Sequence, residues 1–177
     1  QGSGRVLYEK NADERREVAS ITKLMTALLV LEALDRDEIA LTDSVQISPR
    51  AAAMKGSQAL LDANAVYPLE DLLRTTIMTR SASRAQTAAV ALSEYIAGSE
   101  ENFVDRMNRR AAELGMTNTN YVNCTGYPQS GQYTTARDVC RLCCEIAKHP
   151  RYNQYASVWI DKLTHPSGRV TDLTNTN

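Results

Sequence analysis

Histidine is scarce in this chain: its 177 residues carry two, His149 and His165, each directly before a proline. His149 ends a helical stretch and His165 lies in a turn-like T-H-P-S-G, so neither is placed as a catalytic base. A Ser-His-Asp mechanism is therefore less attractive than one built on lysine. Charge of one sign is lacking too, since 20 basic and 21 acidic residues leave a formal net charge of −1. No field recommends nucleic acid or another polyanion as a partner. Long apolar runs are missing. Glu32 and Asp35 interrupt the best candidate short of the roughly 18 residues that a membrane span needs. No secretory leader is visible, and the opening Q-G-S-G-R-V-L-Y reads as the middle of a strand-turn-strand unit, so a mature or trimmed form is expected.

Cysteine is sparse and oddly spaced. Cys140, Cys143 and Cys144 fall at i, i+3 and i+4 of an expected helix and share one face, while Cys124 stands apart. A metal would need Cys124 or His149 as its fourth ligand, and the spacing matches no paired C-x-x-C zinc pattern. Core packing is the expectation for these thiols, with no metal, cofactor or disulfide. A hydrophobic fraction of 43% fits one globular domain with a substantial core.

The most informative stretch runs from Val18 to Leu34, V-A-S-I-T-K-L-M-T-A-L-L-V-L-E-A-L. After Ser20 it has no Gly or Pro and is rich in Leu, Met and Ala, which predicts a helix of about four turns, apolar on nearly every side and so buried. Ser20 sits at its start, and Lys23 follows one turn later on the same face. A serine hydroxyl becomes a useful nucleophile when a base takes its proton. A lysine amine can be that base when burial lowers its pKa. The spacing alone decides nothing, because S-x-x-K is common by chance and a capped helix with a snorkelling lysine has the same pattern.

Along the chain, Gly4–Lys10 is expected as a strand, Val45–Ile47 as a short strand and Pro49–Met54 as a short helix, with Asn64–Pro68 as a loop. Helices are predicted from Leu69 to about Arg80, from Arg84 to Ile96 with Gly98 as its stop, and from a Ser99 cap to Leu114. A polar loop leads to a further helix, capped by Thr134 or Thr135, that Pro150 closes. Extended structure around Pro166-Ser167-Gly168 ends the chain. The reading is α+β, rich in helix.

Taken in order, G-R-V-L-Y-E-K-N-A-D, A-S-I-T-K-L-M-T, G-S-Q-A-L, P-L-E-D-L-L, A-V-A-L-S-E-Y-I-A-G-S, F-V-D-R-M-N, L-G-M-T-N-T-N-Y and Q-Y-T-T-A-R-D resemble the serine D-alanyl-D-alanine carboxypeptidases, the low-molecular-mass penicillin-binding proteins. The likeness covers essentially the whole chain and reverses the odds on S-x-x-K. It implies a β-lactamase/penicillin-binding-protein-like fold and a penicillin-sensitive enzyme acting on peptidoglycan stem pentapeptides. It also implies that the enzyme works outside the cytoplasmic membrane. By position, Ser20 is the nucleophile, Lys23 its base and Ser81 the serine of the second motif, which shuttles the proton toward the leaving D-alanine. The backbone N–H of Ser20 is the first oxyanion donor.

Two departures stand out. The family's S-x-N motif here reads S-A-S, placing Ser83 where the asparagine contacts substrate, and K-T-G is absent. The resemblance therefore implies a single transpeptidase-like domain over residues 1–177 that stops before K-T-G, with an incomplete antiparallel sheet. Such a domain would be completed by a missing C-terminal segment or a second chain. Any membrane tether lies outside these residues. The runner-up is an impaired homologue that binds peptidoglycan or a partner protein. A β-lactamase is weaker still, since the E-x-x-L-N string of class A enzymes is missing.

Overall fold

A computed structural model describes residues 5–54, 61–79 and 84–175. Among them are seven helices, of which α1 (Thr22–Asp35) is the central one. Met25, Leu28, Val30, Leu31 and Ala33 of α1 are all but fully buried, and so are Thr22 and Thr26. The helix has no polar face to give to water, which is what its composition predicts. Each large apolar side chain buried there contributes about 1.5–3 kcal/mol.

Against α1 pack α3 (Leu69–Met78), α4 (Arg84–Ala97), α5 (Glu100–Glu113) and α6 (Ala136–Ile146), while α2 (Pro49–Ala52) packs on α4 and α7 (Pro150–Ala156) on α3. Ala85, Ala88, Ala89 and Ala91 of α4 are buried, so that helix approaches its neighbours closely. Ser99 caps α5 by accepting from Asn102 N, and Thr135 caps α6 by accepting from Asp138 N. Pro150 does more than close a helix. It occupies the first turn of α7, where a missing N–H costs nothing.

Two antiparallel pairs complete the described fold. β1 (Ser44–Gln46) pairs with β2 (Val66–Pro68), with Val45 opposite Tyr67. β3 (Ile160–Thr164) and β4 (Val170–Thr174) form a hairpin whose turn places Gly168 at φ +82°. The expected loop at Asn64–Pro68 is thus partly strand, held by the burial of Tyr67. The Tyr67 hydroxyl meets His165 Nδ1 at 2.7 Å, and His165 Nε2 meets Thr171 Oγ1 at 2.9 Å. His165 therefore ties the hairpin to β2 from a buried position.

Two expectations need correction. Arg5–Lys10 forms no strand, and Leu7 and Tyr8 are 89% and 81% exposed. Among the described residues no strand lies beside the segment to complete a ladder, so sequence preference alone does not form one. Cysteine burial holds for Cys124 only. Cys140 and Cys143 are exposed and Cys144 is partly so. The inward face of α6 is taken by Asp138, Leu142 and Ile146, and the cysteines lie off it.

Candidate active site

Ser20 stands in the turn that leads into α1, two residues before the helix begins. Successive bonds from Thr22 N to Ala19 O (3.0 Å) and from Lys23 N to Ser20 O (3.1 Å) wind this turn tightly. Its side chain is left unengaged as a cap and meets Lys23 instead, with Lys23 Nζ donating to Ser20 Oγ at 3.2 Å. Lys23 is 4% exposed. The pair opens onto a small cleft lined also by Leu24, Thr76, Ile77 and Tyr152.

Burial pushes the Lys23 ammonium down to about 8 from its ordinary value near 10.5. The nearest opposing influence is the thiol of Cys124. Burial raises that thiol well above its own ordinary value, so it stays neutral at pH 7 and lends Lys23 no counter-charge. With a midpoint near 8, about a tenth of Lys23 is the free amine at pH 7, a base poised for proton transfer.

The wall opposite α1 is the segment 123–127. Lys23 Nζ donates to the carbonyl of Thr125 at 2.6 Å, and Thr26 Oγ1 donates to the carbonyl of Cys124 at 2.7 Å. One turn of α1 is thereby zipped to two consecutive peptides. Asn123 folds the segment on itself: its Oδ1 accepts from Gly126 N at 2.7 Å and from Thr125 N at 3.2 Å. Gly126 then lies against the nucleophile's own backbone. It has φ +78°, and a Cβ placed there would fall 1.9 Å from the carbonyl oxygen of Ala19 and 3.0 Å from Ser20 N. Gln132 Nε2 adds a bond to Val18 O at 3.2 Å.

Of the expected site residues, Ser20 and Lys23 are brought together. Ser81 and Ser83 fall between α3 and α4, outside the described residues. Sequence reading missed Thr125, Asn123 and Gly126, whose only signal was the T-G in a long polar loop. It missed them because a backbone carbonyl has no residue signature. Among the described residues no group of His, Cys, Asp or Glu could hold a metal ion.

A family model described as D-alanyl-D-alanine carboxypeptidase matches residues 1–177. The D-alanyl-D-alanine carboxypeptidase DacF of Bacillus subtilis is 38% identical over 175 residues, which is 99% of this chain and 44% of that protein. Penicillin-binding protein 5 of Haemophilus influenzae superposes with a TM-score of 0.86 at 32% identity, over 98% of this chain and 49% of that one. Penicillin-binding protein D2 of Listeria monocytogenes, solved in an ampicillin-bound form, gives 0.79 at 29% identity, covering 99% of this chain and 68% of that one. The chain thus spans a little under half of the curated relative DacF.

Proposed function

The chain belongs to the D-alanyl-D-alanine carboxypeptidase family, and from that membership we propose that it carries the acylation centre of a serine carboxypeptidase acting on peptidoglycan stem pentapeptides. The observation that carries this reading is the Ser20–Lys23 pair, 3.2 Å apart with the lysine all but buried. Neutral Lys23 takes the Ser20 hydroxyl proton as Oγ attacks the carbonyl carbon of the penultimate D-alanine. The tetrahedral oxyanion is met by the N–H of Ser20. Collapse breaks the amide bond, and the terminal D-alanine leaves with a proton on its nitrogen. Water then attacks the Ser20 ester, releasing the shortened peptide and restoring the hydroxyl.

Ser81 relays the proton to the leaving amine, and Ser83 contacts substrate where relatives use asparagine. The second oxyanion donor and the cation for the substrate carboxylate come from a K-T-G strand outside these 177 residues, so the chain is the front part of one transpeptidase-like domain. β-Lactams enter as substrate mimics whose strained amide acylates the same oxygen. Such an enzyme works on the cell wall, outside the cytoplasmic membrane. Among the described residues no helix is long and apolar enough to cross that membrane.

The test is intact mass after incubation with benzylpenicillin, for this chain, for a version extended past Asn177, and for Ser20→Ala in each. One penicilloyl adduct that disappears in Ser20→Ala is the expected result. Absence of an adduct from both lengths would overturn the reading and leave a binding homologue.

A further inference from the structure

Glu100 lies in the first turn of α5 with 7% exposure, an uncommon place for a carboxylate. Its Oε1 accepts from the backbone N–H of Cys124 at 3.0 Å, and its Oε2 accepts from Arg50 at 2.8 Å. Arg50 is the second residue of α2 and also meets Glu101 at 3.2 Å. The Cys124 residue is therefore held at both ends, its N–H by Glu100 and its carbonyl by Thr26 of α1. The next carbonyl in the chain, that of Thr125, is the acceptor for Lys23.

We propose that Glu100 is a positioning residue for the acylation centre: by pinning the Cys124 peptide it aims the Thr125 carbonyl at Lys23 and keeps the 123–127 wall closed over the amine. The wall does two things for Lys23. Its carbonyl takes one N–H, which turns the remaining amine valence toward Ser20 Oγ. Its closeness also excludes water, and exclusion of water is what lowers the Lys23 midpoint. If the peptide is released, the wall loosens, water reaches the amine, and more of the lysine is protonated at neutral pH. Glu100 acts on the pair through Cys124, whose N–H it holds and whose thiol it also faces.

The test compares wild type, Glu100→Gln, Glu100→Ala and Thr26→Val in the protein at its native length. Two readouts are taken: the benzylpenicillin acylation rate across pH, and titration of the Lys23 side chain by NMR. In Glu100→Ala the acylation rate at pH 7 should fall by about tenfold or more, with the Lys23 midpoint moving up by about one pH unit. Glu100→Gln keeps an oxygen acceptor for Cys124 N–H and should stay within about threefold of wild type. Thr26→Val releases the other end of the same residue and should move the midpoint in the same direction; it serves in place of Glu100→Ala should that variant not fold. A Lys23 midpoint unmoved in the folded variants, or Glu100→Gln as impaired as Glu100→Ala, would overturn the proposal. The inference rests on the acylation reading only for its rate readout. If wild type takes up no penicillin, that reading fails while the Lys23 titration still decides the role of Glu100.

Discussion

Replacing Gly126 by alanine should disable acylation far more than it destabilises the fold. The new Cβ would lie 1.9 Å from Ala19 O and 2.4 Å from Ala19 C, both backbone atoms that no side-chain rotation can clear. To reach even the shortest tolerated carbon–oxygen approach, the 123–127 wall and the turn before α1 must part by about 1 Å. The Thr125 carbonyl, now 2.6 Å from Lys23 Nζ, would then stand beyond hydrogen-bond reach. Displacements of that size at a reacting group cost about a hundredfold in rate. The left-handed backbone at φ +78° adds about 1–2 kcal/mol of strain for any residue with a Cβ. The assay is the second-order rate of benzylpenicillin acylation, read beside the thermal midpoint of the same sample. A Gly126→Ala protein that acylates within threefold of wild type at an unchanged Tm would refute the close-approach argument.

Two further outcomes follow from groups already placed. Lys23 has a midpoint near 8 when folded and near 10.5 when unfolded, so between those values the unfolded chain holds a proton that the folded one has lost. Stability should therefore rise with pH across that window by up to about 3 kcal/mol, relative to a Lys23→Met variant followed by urea unfolding at each pH. No difference in slope between the two proteins would mean that the ammonium is not buried at cost. Thiol labelling without denaturant should reach Cys140 and Cys143 first and Cys144 more slowly, and Cys124 only after unfolding; early labelling of Cys124 would contradict its burial.

What was legible in the sequence had a repeating physical signal. α1 could be read because four turns of apolar residues can sit only in a core. The hairpin at β3–β4 could be read from its Pro-Ser-Gly turn. α7 was hidden by the double meaning of Pro150, which ends one helix and starts the next. β2 was hidden because three residues give too little alternation to distinguish a strand from a loop. The face of α6 shows a different limit: spacing reveals that the cysteines share a side but not whether Leu142 and Ile146 have already claimed the interior. At the site, Ser20 and Lys23 announced themselves by spacing and family likeness. Their partner, the Thr125 carbonyl, arrives from about a hundred residues away through a main-chain atom, and only the folded chain displays it.

The two walls of the site are built from unequal material. α1 is gripped on every side, so substitutions along it disturb the whole core, and its geometry has little room to drift. Besides Lys23 and Thr26 of α1, the facing segment is held by separate side-chain bonds from Asn123, Gln132 and Glu100. These three lie outside α1, each making its own contact with the segment. Descendants of this protein could thus retune how their nucleophile meets a new peptide by altering the segment alone, leaving the bearing on which the serine turns untouched.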